Sequence, residues 1–136
     1  MQKKVLVFGT FDIFHDGHKH FLSEARKLGD LLIVTLATDS VALNLKGHTP
    51  KNSYFERRSV LLKSGIVDEV IESDETIGTW DILSKVTPDI IAVGYDQVDL
   101  YSSIVEYLSV RHSEISVIRI TPFSNVKLHS STIRND

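Results

Sequence analysis

The sequence predicts an α/β fold in which a parallel sheet of five strands carries helices on both faces. Five short apolar runs alternate with segments of helical periodicity, a pattern typical of parallel strands joined by crossover helices. The runs are rich in Val, Ile and Leu without regular polar alternation, which indicates strands buried on both faces. With 136 residues, of which 42% are apolar, the chain has the size and composition of a single domain spanning 1–136.

The individual elements are expected from local composition and from residues that begin or end helices. The small polar residues at 38–40 and the S-x-x-E capping box from Ser53 to Glu56 indicate helix starts, whereas Gly29 ends a helix. The segment 46–52 contains Gly and Pro without periodicity, which predicts a loop. The expected strands are 5–8, 31–37, 67–71, 90–94 and 115–120. The expected helices are 16–28, 38–45, 53–65, 79–86 and 101–111, with a last short helix from Ser130 or Ser131.

The composition excludes several classes of protein. The formal net charge is −3, so the sequence does not indicate the basic surface that nucleic-acid binding requires. The chain has no cysteine, which excludes disulfides, cysteine-ligated zinc and a cysteine nucleophile. No apolar stretch approaches the ~20 residues of a membrane helix, and the N-terminal apolar run is too short for a signal peptide. We therefore expect a cytoplasmic protein with neither a nucleic-acid nor a membrane partner.

Three loops are candidates for the ligand site, because ligands of parallel sheets bind beyond the carboxyl ends of the strands. These loops are 9–18, 37–46 and 94–97. The first lacks the dinucleotide-binding and P-loop fingerprints and reads GTFDIFHDGH. Its Gly9 permits close approach of the backbone to a ligand. A helix start near Gly17 would present free N–H groups and a partial positive charge to an anion.

Histidines are concentrated at this helix start. His15 and His18 would add donors directed at phosphate oxygens. One alternative is that each histidine is only a solvent-exposed neighbour of the helix cap. A metal site is the other alternative, but His18 and His20 are two positions apart on a helix, so their side chains point roughly 200° apart. We therefore predict no metal ligands among the histidines, and a structural or exposed role for His20.

The GTFD run from Gly9 and the HDGH run from His15 resemble the G-T-F-D…H-x-G-H signature of the cytidylyltransferase-like nucleotidyltransferase superfamily. The spacing of the motif matches throughout, in a strand–turn–helix context, and the resemblance extends over essentially the whole chain. It implies a Rossmann-like fold and transfer of a nucleoside monophosphate from an NTP to a phosphorylated acceptor. Attack by an ionised phosphate needs no general base, so catalysis would consist mostly of positioning and charge stabilisation.

The resemblance also implies roles for individual residues. Lys46 matches a lysine that meets the phosphates, and Arg57 is a better match than Arg58 to a phosphate-contacting arginine. Asp96 matches an aspartate that contacts the nucleotide, and His18 would favour the α-phosphate in the transition state. The catalytic residues implied in this way are His15, His18, Lys46 and Arg57. The nucleotide-binding residues implied are Gly9, Thr10, Phe11, His15, Asp16, Gly17, His18, Asp96, Phe123, Ser130 and Ser131.

The resemblance further implies a divalent metal, Mg²⁺, that bridges the phosphates and keeps most of its ligands as water and phosphate oxygens. No residue is assigned as a protein ligand of the metal. Asp12 is open to two interpretations, because it could be an outer ligand of the ion or could hold the turn.

The acceptor and the base of the nucleotide are predicted from more specific similarities. The GYDQ segment from Gly94, the K-G-x-x-P loop at 46–50 and the HSS run from His129 resemble archaeal-type FAD synthases, which adenylylate FMN. The GDDW and RTxGIST segments of bacterial glycerol-3-phosphate cytidylyltransferases are absent. ATP and FMN are therefore the expected substrates. Synthesis of CDP-glycerol from CTP is the first alternative, and a nucleotide-binding regulator without turnover is the second.

An FMN acceptor would require a flat apolar slot for its ring. The aromatic residues that could form such a slot, or could instead pack in the core or an interface, are Tyr54, Phe55, Trp80, Tyr95, Tyr101 and Phe123. Because members of the superfamily are often homodimers, the resemblance also implies a homodimer.

Overall fold

The computed structural model describes residues 2–76, 78–111 and 113–121. Strands and helices alternate along this part of the chain. The strands are β1 (Lys4–Gly9), β2 (Leu31–Leu36), β3 (Glu69–Glu72), β4 (Ile90–Gly94) and β5 (Ser116–Ile120). The helices are α1 (Asp16–Arg26), α2 (Asp39–Lys46), α3 (Tyr54–Lys63), α4 (Asp81–Val86) and α5 (Val98–Val110).

The five strands form one parallel sheet in the order β3-β2-β1-β4-β5, which confirms the predicted α/β fold. The chain first moves outward from β1 to β3 and then crosses to β4 on the other side of β1. The order therefore reverses between β1 and β4, where open parallel sheets form a ligand-binding crevice.

Alternate residues of each strand pack on opposite faces of the sheet, as the period of two requires. On one face, Val5, Val7 and Val34 pack with Leu22 of α1 and Leu61 of α3, all fully buried. On the other face, the core consists of buried residues of the sheet, α4 and α5, namely Leu6, Ile33, Ile82, Leu83, Val86, Ile91, Val93, Ile104 and Leu108. Helices thus cover both faces, as the continuous apolar runs predicted.

The predicted elements differ from the observed ones mainly at their ends. The third strand was expected at 67–71 but spans Glu69–Glu72, because Asp68 turns its carboxylate back to Leu32 N–H at 2.8 Å before the strand begins. The helix expected at 101–111 begins at Val98, because Val98, Asp99 and Leu100 form its first turn. The helix predicted from Ser130 or Ser131 lies outside the described residues.

Two of the observed helix caps lie where the sequence predicted them. Ser53 and Glu56 form the predicted reciprocal capping box of α3, and the side chain of Thr38 accepts from Val41 N–H at the start of α2. Gly47 ends α2 in the left-handed conformation, with φ of 83°. In the part of the chain that is described, no helix is long and apolar enough to cross a membrane.

Candidate active site

A cavity of about 840 Å³ opens at the carboxyl ends of the strands. All three predicted loops, 9–18, 37–46 and 94–97, contribute to its lining. Residues between β3 and α4 also line the cavity, and apart from Trp80 they were not predicted: Ser73, Asp74, Thr76, Gly78 and Trp80. The site is therefore wider than the sequence motifs indicate, and it extends onto the sheet face covered by α4 and α5.

The first loop folds tightly around an aromatic ring. Phe11 adopts a left-handed backbone conformation, with φ of 48°, and its buried ring lies 5.1 Å from the His18 ring, edge to face. A Cβ atom at Gly9 would lie 2.5 Å from the Phe11 ring. Glycine is thus required at position 9 to admit this ring, a reason different from the close ligand approach inferred from sequence.

His15 and His18 form a reciprocal capping box at the start of α1. Gly17 N–H donates to His15 Nδ1 at 3.1 Å, and His15 N–H donates to His18 Nδ1 at 3.3 Å. Because each Nδ1 accepts a hydrogen bond, the proton of each neutral ring lies on Nε2. The rings stack with their centroids 3.8 Å apart, and both residues line the cavity. The cap therefore makes each Nε2–H a donor beside the positive end of the α1 dipole.

Asp12 holds the loop that follows α2. Its carboxylate accepts hydrogen bonds from Lys51 N–H at 2.8 Å and Asn52 N–H at 2.9 Å. Burial alone would raise the pKa of Asp12, but these bonds and the nearby Arg57 charge outweigh burial, so the pKa lies below its ordinary value of 3.8. Both carboxylate oxygens are engaged, which favours the turn-holding interpretation of Asp12 over a metal ligand.

Arg57 does not line the cavity but is buried behind it, 1% exposed. Its guanidinium donates to Thr10 O and Ala37 O, each at 2.9 Å, and to Asn52 O at 3.0 Å. It also pairs with Asp39 at 2.7 Å. The structure therefore does not bring Arg57 to the phosphate-binding surface that the resemblance implies. It instead joins the loops after β1, after β2 and before α3.

Two lysines line the cavity on the side of α2. Lys46 lies exposed in the last turn of α2, and Lys51 follows on the next loop together with His48. The structure therefore places Lys46 at the surface of the cavity, where its ammonium group can attract an anionic ligand. Four carboxylates, those of Asp12, Asp74, Asp96 and Asp99, also line the cavity.

The Gly94–Gln97 segment forms the opposite wall. Gln97 accepts from Gly94 N–H at 2.7 Å and donates through its amide to Phe8 O at 3.1 Å. The Gln97 side chain thus connects the ends of β4 and β1 at the crevice. Asp96 is exposed and lines the cavity, as predicted.

The segment 73–80 contributes an aromatic wall. Trp80 lines the cavity and packs edge to face on Phe8, with ring centroids 5.6 Å apart. Of the aromatic residues predicted as flavin walls, Trp80 and Tyr95 line the cavity, whereas Tyr54, Phe55 and Tyr101 do not. Three of the expected nucleotide-binding residues, Phe123, Ser130 and Ser131, lie outside the described residues.

Metal-ligating side chains do not cluster in the site. Within residues 2–76, 78–111 and 113–121, no three His, Asp or Glu side chains are grouped so that they could hold an ion. Asp74, which lines the cavity, instead accepts from Ile82 N–H at the start of α4, at 3.1 Å.

Comparisons with known proteins agree with this geometry. A cytidylyltransferase-like family model matches residues 6–136. The FAD synthase of Thermococcus sibiricus is 41% identical over 117 residues, covering 86% of this chain and 79% of the relative. The FAD synthase of Ferroglobus placidus is 42% identical over 131 residues, covering 95% and 83%. Among solved structures, the lipopolysaccharide core biosynthesis protein from Thermoplasma volcanium superposes with a TM-score of 0.83 at 32% identity, covering 91% of this chain and all of that one.

Proposed function

The chain belongs to the cytidylyltransferase-like family, and on that basis we propose that it transfers AMP from ATP to FMN, giving FAD and pyrophosphate. The observation that carries this proposal is the His15–His18 pair, which lines the cavity at the start of α1 and uses Nδ1 of each ring to accept from the backbone. Similarity to FAD synthases over 86–95% of the chain supports FMN as the acceptor. The cavity volume of about 840 Å³ is within the range of small-molecule and cofactor sites.

The reaction requires no removal of a proton from the attacking group. The terminal phosphate of FMN is ionised at pH 7, and one of its oxygens forms a bond to the α-phosphorus of ATP. The bond from that phosphorus to the oxygen bridging the α- and β-phosphates breaks, and pyrophosphate leaves with the electron pair. Negative charge accumulates on the α-phosphate oxygens during this exchange, so fixed donors directed at them lower the barrier.

Within this reaction the histidines and Lys46 have separate tasks. We assign the Nε2–H groups of His15 and His18 to NTP phosphate oxygens, with His18 on the α-phosphate. Lys46 would neutralise the remaining phosphate charge, and Asp96 would contact the nucleoside. Arg57 is assigned a positioning role, because its guanidinium holds the loops that carry Thr10 and Ala37.

A divalent metal would enter with the nucleotide. The described side chains form no metal cage, and Asp12 is already bound to two backbone amides. Mg²⁺ typically retains several waters and binds through substrate phosphates, so the proposed role of the ion is charge neutralisation on the triphosphate. Phosphate binding, nucleoside contact and loop positioning are assigned to side chains of the protein.

Product analysis tests the proposal. The protein is incubated with FMN or glycerol 3-phosphate, each with ATP or CTP and Mg²⁺, and the products are separated by chromatography. We expect FAD and pyrophosphate from FMN with ATP, and a loss of roughly 10² or more in kcat for His18→Ala. CDP-glycerol without FAD would assign the chain to the cytidylyl branch. No pyrophosphate with any acceptor would indicate a binding protein without turnover.

We also propose a homodimer in the cytoplasm, where ATP is available. Support for association comes from exposed apolar side chains on α2 and α3, including Leu45 at 59% and Phe55 at 74% exposure. Light scattering coupled to size-exclusion chromatography would report a mass near twice that of the chain. A mass of one chain at micromolar concentration would exclude the dimer.

A further inference from the structure

The two central strands of the sheet part from each other at their carboxyl ends. The ladder between β1 and β4 ends at the pair formed by Leu6 and Ile91. β1 nevertheless continues to Gly9 beside β2, and β4 continues to Gly94 beside β5. The end of each strand lines the cavity. The spacing between these two walls of the cavity therefore has to be fixed by something other than the ladder.

The side chain of Gln97 crosses this gap. Its Oε1 accepts from Gly94 N–H at 2.7 Å, and its Nε2 donates to Phe8 O at 3.1 Å. Because a backbone N–H can only donate and a carbonyl can only accept, the orientation of the amide is fixed. Gln97 is also the N-cap residue of α5, but its side chain makes no capping hydrogen bond. The polar group of this side chain is used for the bridge instead.

Gly94 leaves room for the side chains of the turn that follows β4. A Cβ atom at position 94 would lie 2.9 Å from Asp96 Oδ1 and 3.5 Å from Gln97 Oε1. A hydrogen bond from Gln97 N–H to Gly94 O, at 3.0 Å, closes the turn. Asp96 is exposed in the cavity, whereas Gln97 is partly buried against the strand ends. Because one turn holds both residues, a change in the bridge would shift Asp96 relative to β1.

The bridge joins the two parts of the proposed nucleotide site. Phe8 directly precedes the loop 9–18, which carries the histidine pair assigned to the triphosphate. The turn at the other end of the bridge carries Asp96, which is assigned to the nucleoside. A ligand that contacts two sites at once gains affinity only when their separation matches its own length. The side chain of Gln97 lies where it can set that separation.

We propose that Gln97 is a positioning residue, which fixes the distance between the phosphate-binding and nucleoside-binding parts of the site by bridging β1 and β4. This inference rests on the proposed function, which supplies a nucleoside triphosphate as the ligand of both parts. The bridge acts on the ligand through the backbone at Phe8 and Gly94. Its loss therefore weakens binding of the intact nucleotide but not of the separate parts of the nucleotide.

The test measures equilibrium binding by calorimetry in the presence of Mg²⁺. The three probes are α,β-methylene-ATP, which is not cleaved between its α- and β-phosphates, inorganic tripolyphosphate and adenosine. Gln97→Met removes both hydrogen bonds and keeps a side chain of similar length. We expect Gln97→Met to bind α,β-methylene-ATP about tenfold more weakly than the wild type, with affinities for tripolyphosphate and adenosine within about twofold. Normal binding of these two probes would also show that the variant is folded.

Gln97→Glu separates the bridge from the turn. Its carboxylate keeps an acceptor for Gly94 N–H but has no donor for Phe8 O. We expect it to weaken binding of α,β-methylene-ATP as much as Gln97→Met does, because both variants lose the link to β1. Val98→Glu is the matched control for the added charge, since Val98 is the next residue, is 55% exposed and does not line the cavity. Its affinity for α,β-methylene-ATP should equal that of the wild type.

The outcomes distinguish this inference from the proposed function. If Gln97→Met binds α,β-methylene-ATP as the wild type does, or loses adenosine or tripolyphosphate to the same extent, the inference fails. Formation of FAD by the wild type would then leave the proposed function standing. If the variants give the expected pattern but the wild type forms no FAD from FMN and ATP, the proposed function fails and the inference stands. If the wild type does not bind α,β-methylene-ATP, both fail.

Discussion

His15 and His18 each use ring Nδ1 for structure, and both residues line the cavity. The Nδ1 atoms cap α1 through Gly17 N–H and His15 N–H. Because each Nδ1 accepts a backbone hydrogen bond, the cap fixes the tautomer of each neutral ring. In the proposed reaction, each histidine therefore contributes both to the helix cap and to ligand binding. A substitution that tests ligand binding must keep the cap.

His15→Asn separates the two roles of His15. Asparagine is among the best N-cap residues, so its side-chain oxygen can replace Nδ1 as acceptor for the first turn of α1. Its amide N–H lies one bond nearer the backbone than Nε2–H of histidine and does not reach the same position, so we expect kcat to fall roughly 10²-fold. Chemical denaturation should give a free energy of unfolding within about 0.5 kcal/mol of the wild type. An equal kcat would remove His15 from phosphate binding.

Asp12 makes part of the stability depend on pH. The pKa of Asp12 is lower in the folded protein than in the unfolded chain. The ionised carboxylate therefore contributes its full stabilisation above the pKa of the unfolded state, and this stabilisation is lost as the pH falls through the pKa of the folded state. We expect Asp12→Asn to lower the free energy of unfolding by about 2 kcal/mol at pH 7. The difference from wild type should shrink below pH 3.8, the ordinary Asp value. The exposed Glu106→Gln serves as the control, and a pH-independent difference for Asp12→Asn would contradict the assignment.

At the scale of elements, Arg57 of α3 connects segments that are distant in sequence. Arg57→Met would leave the buried Thr10 and Ala37 carbonyls without their donor. We expect a loss of about 3 kcal/mol in the free energy of unfolding. Arg58→Met, exposed on the same helix, should change it by less than about 0.5 kcal/mol. A raised KM for ATP at unchanged stability in Arg57→Met would instead support direct phosphate contact.

Helices, strands and loops could be predicted where neighbouring residues in the sequence determine them. The strands, the α3 capping box from Ser53 and the loop from Gly9 to His18 could be read from neighbouring residues. The burial of Arg57 could not, because its carbonyl partners Thr10 and Ala37 lie in loops 47 and 20 residues away. Trp80 was predicted as one possible flavin wall, whereas Ser73, Asp74 and Thr76 before it were not predicted to line the site.

At the scale of the whole molecule, the cavity follows from how β1 and β4 meet. Their ladder pairs Val5 with Ile90 and Leu6 with Ile91. Nearer the carboxyl ends, the Gln97 side chain connects Phe8 O to Gly94 N–H. The crevice between these strands opens toward both sheet faces, so one cavity can receive reactants from opposite sides. This geometry suits a displacement at a phosphorus held between them.

The sheet order also has a consequence for the chain as it leaves the ribosome. The first 72 residues contain β1, β2 and β3, which can pair with one another at once. The other edge of β1 has no strand to pair with until Ile90 and Ile91 of β4 have been translated. During that interval an apolar strand edge is exposed, which is a recognised route to aggregation. The nascent chain is therefore most prone to aggregation midway through synthesis, when β1 is paired with β2 but not yet with β4 and the crevice has only one wall.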